Sequence, residues 1–201
     1  MRGKTEAALE VRCAEILEAA RQVFAKKGFS QATVDDIAEA AGVAKGTLYL
    51  YFRSKDEIYL AALKQGISTL HEETMRKVDE SATAAQKIRA FIRARIEYFE
   101  KNREFFKIYH SEFGNILIHP AKVSKECRDL YEKQGRMLAA VLRRAAEQEE
   151  VRCARPESTA FTIYDMTRGL ITQRLLGWSR CGVEEDVEFL FDLIWRGIAR
   201  Q

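Results

Sequence analysis

Proline is nearly absent from this chain, with only Pro120 and Pro156 among 201 residues, and glycine contributes just eleven. A sheet-rich fold spends both residue types on its many turns, so their scarcity points to long helices with few breaks. Cysteine is sparse as well. Cys13, Cys127, Cys153 and Cys181 lie far apart and form no C-x-x-C pair, which excludes a disulfide scaffold and suggests core thiols in a reducing compartment. No stretch approaches the roughly 20 apolar residues of a membrane span. The opening MRGKTEAALEVRCAEI carries Glu6, Glu10 and Arg12 where an export signal needs an uncharged apolar run. A soluble cytoplasmic protein with no membrane partner is the expectation. Neither sign of charge prevails: 33 basic and 30 acidic residues leave a net charge of +3. Charge alone therefore does not announce a nucleic-acid binder.

What is present is helical spacing, with 47% apolar and 31% charged residues as in a globular chain. Leu9, Cys13, Ile16, Leu17, Ala20, Val23 and Phe24 recur at steps of three and four, and Gly28 after Lys26 and Lys27 reads as a C-cap. Capping boxes are expected at Thr33 with Asp36, Ser54 with Glu57, and Thr83 with Gln86. They open helices over about 34–40, 55–78 and 84–99, with a further short helix at 44–51. The stretch 105–113 reads as helical and 114–120 as a loop. Pro120 and Pro156 suit the first turns of helices running to about 148 and 178, and a last helix ends near 199. The fold class is all-α.

Residues 33–55 carry the most restrictive pattern. Two short helices joined by a three-residue turn with a glycine make a helix-turn-helix unit. Steeply crossing helices need a small residue where they touch, and Ala38 has that place. Gly42 supplies the sharp turn without a Cβ penalty, while Ile37, Val43 and Leu48 fill the wedge. Lys45, Gly46, Thr47, Tyr49, Leu50 and Tyr51 then remain outside the wedge, where side chains can reach base edges or phosphates. Gly46 costs a helix about 1 kcal/mol, which close approach of the backbone to a DNA groove would explain. Helix starts beside Thr33 and Val34, and at Lys55, offer further phosphate contacts. Double-stranded operator DNA is the expected partner.

The run TVDDIAEAAGVAKGTLYLYFRSKDEIYLAAL, residues 33–63, resembles the signature of TetR-type bacterial transcriptional regulators. The likeness lies in the opening threonine, IA-x-x-AGV, G-T-L-Y-x-Y-F and the following S-K. It covers about residues 9–63, with Ala44 where a serine is usual and Leu50 where many members carry a polar or aromatic residue. The resemblance implies a DNA-binding domain over 1–55 and a helical effector-binding and dimerisation domain over 56–201. It also implies a homodimeric repressor, released from its operator when a small molecule in the body shifts the helix after residue 55.

In that body the last two helices are apolar around much of their circumference, as an interface requires. Ile171, Leu175, Trp178, Leu190, Phe191, Ile194 and Ile198 are the expected dimer contacts. An aromatic surplus with interleaved polar groups suggests a pocket for an apolar or aromatic effector. Its candidate residues are Phe99, Phe106, Tyr109, His110, Phe113, Tyr131, Phe161, Tyr164, Arg168 and Gln173. Arg95 is a further polar candidate there. Metal and catalytic readings lack an anchor: His71-Glu72-Glu73 has no second histidine at the required spacing, and phosphate-loop, dinucleotide and nucleophile-elbow motifs are missing. No cofactor is expected. The alternative is a helical carrier or enzyme for a lipid-like ligand with no DNA role.

Overall fold

Three helices of this chain, those after Thr33, Ser54 and Thr83, start where a polar side chain takes up an amide that the first turn leaves unpaired. In the computed structural model, which describes residues 2–118 and 125–198, Thr33 Oγ1 accepts from Asp36 N at 3.1 Å and the Asp36 carboxylate accepts from Thr33 N at 3.0 Å. Thr83 and Gln86 repeat this box. Ser54 Oγ receives Glu57 N, but the Glu57 carboxylate takes the amide of Arg53, one residue earlier than the box requires.

The described residues form nine helices: α1 (Arg2–Gln31), α2 (Val34–Ala40), α3 (Lys45–Tyr51), α4 (Lys55–Asp79), α5 (Ala84–Lys101), α6 (Arg103–Ile118), α7 (Lys125–Glu147), α8 (Pro156–Leu175) and α9 (Val183–Ile198). Among these residues no helix is long and apolar enough to cross a membrane. Gly28 breaks α1 with a φ of 73°, so the last turn is offset from the long helix before it. Two expected boundaries change. Residues 114–118 continue α6 instead of forming a loop, because a single glycine costs a helix only about 1 kcal/mol. Helix α8 stops at Leu175, not near 178, since Gly177 turns the chain with a φ of 73°. Pro120 lies outside the described residues, and α7 begins at Lys125.

Packing divides the chain into two units, Met1–Gly66 with Glu104–Cys127, and Ile67–Arg103 with Arg128–Gln201. The boundary expected after residue 55 is a functional division, whereas these units are drawn by packing. In the first unit α1 packs on α2 and α2 on α3. Its buried residues include Ile16, Ala20, Phe24, Ile37, Leu48, Ile58 and Leu63. Phe24, Phe29 and Tyr59 form an aromatic triangle whose ring centroids lie 5.0–5.9 Å apart. The Phe105 ring occupies the space a side chain at Gly66 would need, which is why glycine stands there in α4.

The second unit is centred on α5, which packs against α8 and α9. Ile88, Phe91, Ile92, Phe99, Leu138, Leu142, Tyr164 and Val187 are buried in it. Arg89 sits over the Phe191 ring, its Cζ 3.4 Å from the centroid, and pairs with Glu188, joining α5 to α9. Arg174 joins the end of α8 to Glu100 and Asp186, while its Nη1 donates to the Cys181 carbonyl at 2.9 Å.

Candidate nucleic-acid interface and effector groove

The turn between α2 and α3 closes on itself. Ala41 N donates to Ile37 O at 2.9 Å, Val43 N to Ala38 O at 3.0 Å, and Gly42 takes a φ of 63°. Ile37, Ala38 and Leu48 are buried in the wedge, so α3 is held with its other side outward. That side is where Tyr49 is 50% and Leu50 83% exposed. Thr47 and Tyr51 are half-buried, and Lys45 and Gly46 are exposed. A Cβ at Gly46 would meet nothing within 4 Å, so nothing inside the protein demands glycine there.

Two ion pairs brace this arrangement. Lys45 Nζ lies 2.8 Å from Asp35, across the turn from α3 to α2, and Lys27 Nζ lies 2.7 Å from Asp36, from α1 to α2. The hydrogen bond from Lys27, followed by those from Thr33, holds the Asp36 carboxyl down at about 2. Thr33 is exposed but its hydroxyl already serves the capping box, and Val34 is half-buried. The Lys55 side chain is also engaged within the protein. Its ammonium donates to the carbonyls of Phe29 at 2.7 Å and Ala32 at 2.9 Å, at the carbonyl end of α1.

The residues expected to form one effector pocket fall into both units. In the first, Phe106 and Tyr109 are buried, while His110 is exposed and stacks on Phe106 at 5.5 Å. The side chain of Phe113 lies outside the described residues. In the second, Phe99 and Tyr164 are buried, and Tyr131 packs on Phe161 at 5.4 Å and on Tyr164 at 5.0 Å. Phe161 fills the space beside Gly135. Arg168 pairs with Asp165 at 3.1 Å, and Gln173 is exposed. At the centre of this second set is Arg95, fully buried, its guanidinium 4.0 Å from the Tyr164 ring and its Nη1 donating to Gln134 Oε1 at 2.5 Å. Arg95, Gln134, Phe99 and Tyr164 make a packed polar-aromatic core.

Open space of about 590 Å³ lies elsewhere in the second unit, in a groove lined by the end of α4, the start of α5 and α7. Met75, Val78, Met137 and Val141 give it apolar walls, and Lys87, Lys133, Arg136 and Arg144 stand along it. His71 also lines it. That side chain is 7% exposed, and its Nδ1 has no hydrogen-bond partner among the described residues. Burial, reinforced by the charge of Lys133, pushes its imidazole below the usual range. From sequence this groove is legible only as the stripe Lys133, Met137, Val141, Arg144 along one side of α7, without an aromatic to attract notice. No group of three or more His, Cys, Asp or Glu side chains among the described residues could hold a metal ion.

The expected dimer contacts divide in the same informative way. Ile171, Leu190, Phe191 and Ile194 are buried within the chain and are not free to meet a second copy. Leu175 and Ile198 are half-buried, and Trp178 is 74% exposed. The outward apolar residues are Leu176, Trp178, Phe189 and Leu193. The physical reason is that α9 is apolar on two sides, and its richer stripe is taken by α5 and α8.

Comparison with known proteins decides what this helix-turn-helix belongs to. Residues 16–62 match the model of bacterial regulatory proteins of the tetR family, and residues 81–172 match a tetracyclin repressor-like C-terminal domain. The transcriptional repressor KstR2 of Mycobacterium tuberculosis is 30% identical over 137 residues, 68% of either chain. This chain belongs to the TetR family. Over 74 residues the TetR-family chain is 39% identical to the fatty acid metabolism regulator protein of Bacillus subtilis, covering 37% of this chain and 38% of that protein. The solved structure of the ketosteroid regulator KstR2 superposes with a TM-score of 0.73 at 25% identity, covering 94% of this chain and 96% of that one. The structure of FadR from Bacillus subtilis in complex with stearoyl-CoA has the same fold, with a TM-score of 0.74 at 20% identity, covering 90% and 96%. The matched segments span 38%, 33% and 52% of the first three curated relatives. KstR2 and FadR are both transcriptional regulators.

Proposed function

We propose that this TetR-family chain is a cytoplasmic, homodimeric transcriptional repressor, released from operator DNA when a small apolar effector binds its helical body. The reading includes no catalysis and no cofactor. One observation carries it. Helix α3 keeps Tyr49 and Leu50 in solvent while the wedge behind them is filled, and Gly46 beside them answers no steric demand of the fold. A carrier or enzyme without a DNA role gains nothing from holding two large side chains in water. Seated in a major groove, Leu50 meets a thymine methyl, Tyr49 donates to a phosphate, and Thr47 reads a base edge. Thr33, Val34, Lys45 and Tyr51 flank that contact in the same reading.

The relatives' names support an apolar effector, since one is a fatty acid regulator, one a ketosteroid regulator, and one a structure holding stearoyl-CoA. The outward apolar side chains Leu176, Trp178, Phe189 and Leu193 support a two-fold interface of helices. Fluorescence anisotropy with duplexes tiled across the region upstream of the protein's own gene tests the DNA role. One duplex should bind at least about tenfold tighter than scrambled DNA, and Leu50→Ala together with Thr47→Ala should erase that preference. Uniform weak binding to every duplex, unchanged in the double variant, excludes the repressor reading.

A further inference from the structure

Along α7, Lys133, Met137, Val141 and Arg144 follow one another at helical spacing on the side that lines the groove. The two ends of the groove differ in charge. At the far end Lys87 and Arg144 share the rim with Asp79 and Glu150, so the charges balance. At the near end Lys133 and Arg136 stand beside His71 with no acid in the lining. Arg136 is engaged by Glu132 at 2.7 Å, whereas Lys133 has no carboxylate partner among the described residues. Between the ends the walls are methyl and thioether groups. Met75 and Met137 face the space from two helices, and methionine side chains adapt to irregular apolar guests. From Lys133 to Ala145 the helix rises about 18 Å, of which the apolar stretch Met137 to Ala145 takes about 12 Å, so a charged head and an elongated tail can lie end to end along it.

We propose that this groove is the effector site and that it takes an elongated amphipathic anion. The carboxylate or phosphate head lies at Lys133 and Arg136, and the alkyl tail runs along Met137 and Val141 toward Ala145. The proposal rests on the reading of this chain as a ligand-responsive regulator, and it replaces the aromatic set as the place where the ligand sits. A neutral ring compound would leave the unpaired charge at one end of the groove without a use. A cation would be repelled by it.

The full-length protein is titrated calorimetrically with hexadecanoate, hexadecyl phosphate, 1-hexadecanol and hexadecyltrimethylammonium, each below the concentration at which it forms micelles. Both anions should bind about tenfold or more tighter than the alcohol, as a charge-assisted contact at the head requires, and the cation should be weakest. If only one anion binds, it identifies the head group, carboxylate or phosphate. Lys133→Gln should bring the anions to the level of the alcohol while leaving alcohol binding and, at about pH 7.5 where His71 is neutral in folded and unfolded chain alike, the melting midpoint unchanged. Ala140→Leu, which fills part of the groove, should weaken anion and alcohol alike. The site assignment is overturned if the alcohol binds as tightly as the anions, or if anion binding is the same in wild type and both variants. Operator release is measured separately. Anions that bind in the groove yet leave operator affinity untouched overturn its effector role and the ligand-responsive reading, but leave the ligand class standing. A compound that releases operator equally from wild type and both variants overturns the groove and leaves that reading intact.

Discussion

Lys55 stands over Phe29, its ammonium 4.5 Å from the ring centroid and 2.7 Å from the Phe29 carbonyl oxygen. One cation thus closes the carbonyl end of α1 from the first turn of α4. The same side chain also reaches the carbonyl of Ala32, just before the capping box that opens α2. Three helices of the first unit are therefore referred to a single ammonium group.

Replacing Lys55 with methionine keeps the aliphatic stem and removes the donors. Charged hydrogen bonds of this kind contribute about 1.5–3 kcal/mol each, and a half-exposed site falls at the low end. Urea unfolding of Lys55→Met should show a loss of about 1.5 kcal/mol or more. The slope of operator affinity against salt should not change, because no phosphate contact is lost. A flattened salt slope with unchanged stability would restore Lys55 to the DNA surface.

Much of this first unit is legible in the sequence because its signals are local. Capping boxes, the turn glycine and the small residue Ala38 each act within a few positions, and each names its own neighbour. The role of Lys55 is illegible for the opposite reason: its partners lie 23 to 26 residues away, and a lysine at a helix start looks the same whether it reaches phosphate or carbonyl. The second unit hides more. Aromatic residues attract attention as pocket walls, yet here they pack around Arg95, while the open groove is walled by methionine, valine and alanine, which look like ordinary core. Phe189 and Phe191 are equally apolar in sequence, and only packing by α5 and α8 decides which of them is left in water.

Gly46→Ala separates folding from recognition. Alanine favours helix over glycine by up to about 1 kcal/mol, less within a first turn, and the added Cβ meets nothing in the protein. The variant should be equally stable or slightly more so by thermal melting. Its operator affinity should fall at least severalfold if the backbone approaches DNA at that point. Unchanged affinity would show that the glycine has no part in the interface.

Adjacent residues on α9 should respond in different ways to the same substitution. Leu193 is 56% exposed, whereas Ile194 is 7% exposed and belongs to the core. Leu193→Arg should leave a folded chain that sediments as a monomer at micromolar concentration. Ile194→Arg buries an unpaired charge, at a cost of several kcal/mol, and should unfold or aggregate. A Leu193→Arg protein that remains dimeric would remove the Leu193 patch from the interface.

His71 should give the folded protein a measurable sensitivity to mild acid. Burial disfavours its charged form, Lys133 adds repulsion, and Glu72 opposes both only in part, so the folded imidazole binds its proton below the ordinary value of 6.5. The unfolded chain takes that proton near 6.5, so below this pH it holds more protons than the folded state. Stability contributed by the neutral side chain is then complete above 6.5 and declines as pH falls toward the depressed folded value. His71→Gln cannot titrate and keeps a polar side chain of similar reach. Melting midpoints measured from about pH 7.5 down to about 5.5 should fall faster for the wild type than for the variant over this interval. Hexadecanoate seated against Lys133 offsets part of the repulsion and should reduce the difference between the two curves. Parallel curves without ligand would place the His71 imidazole at its ordinary value.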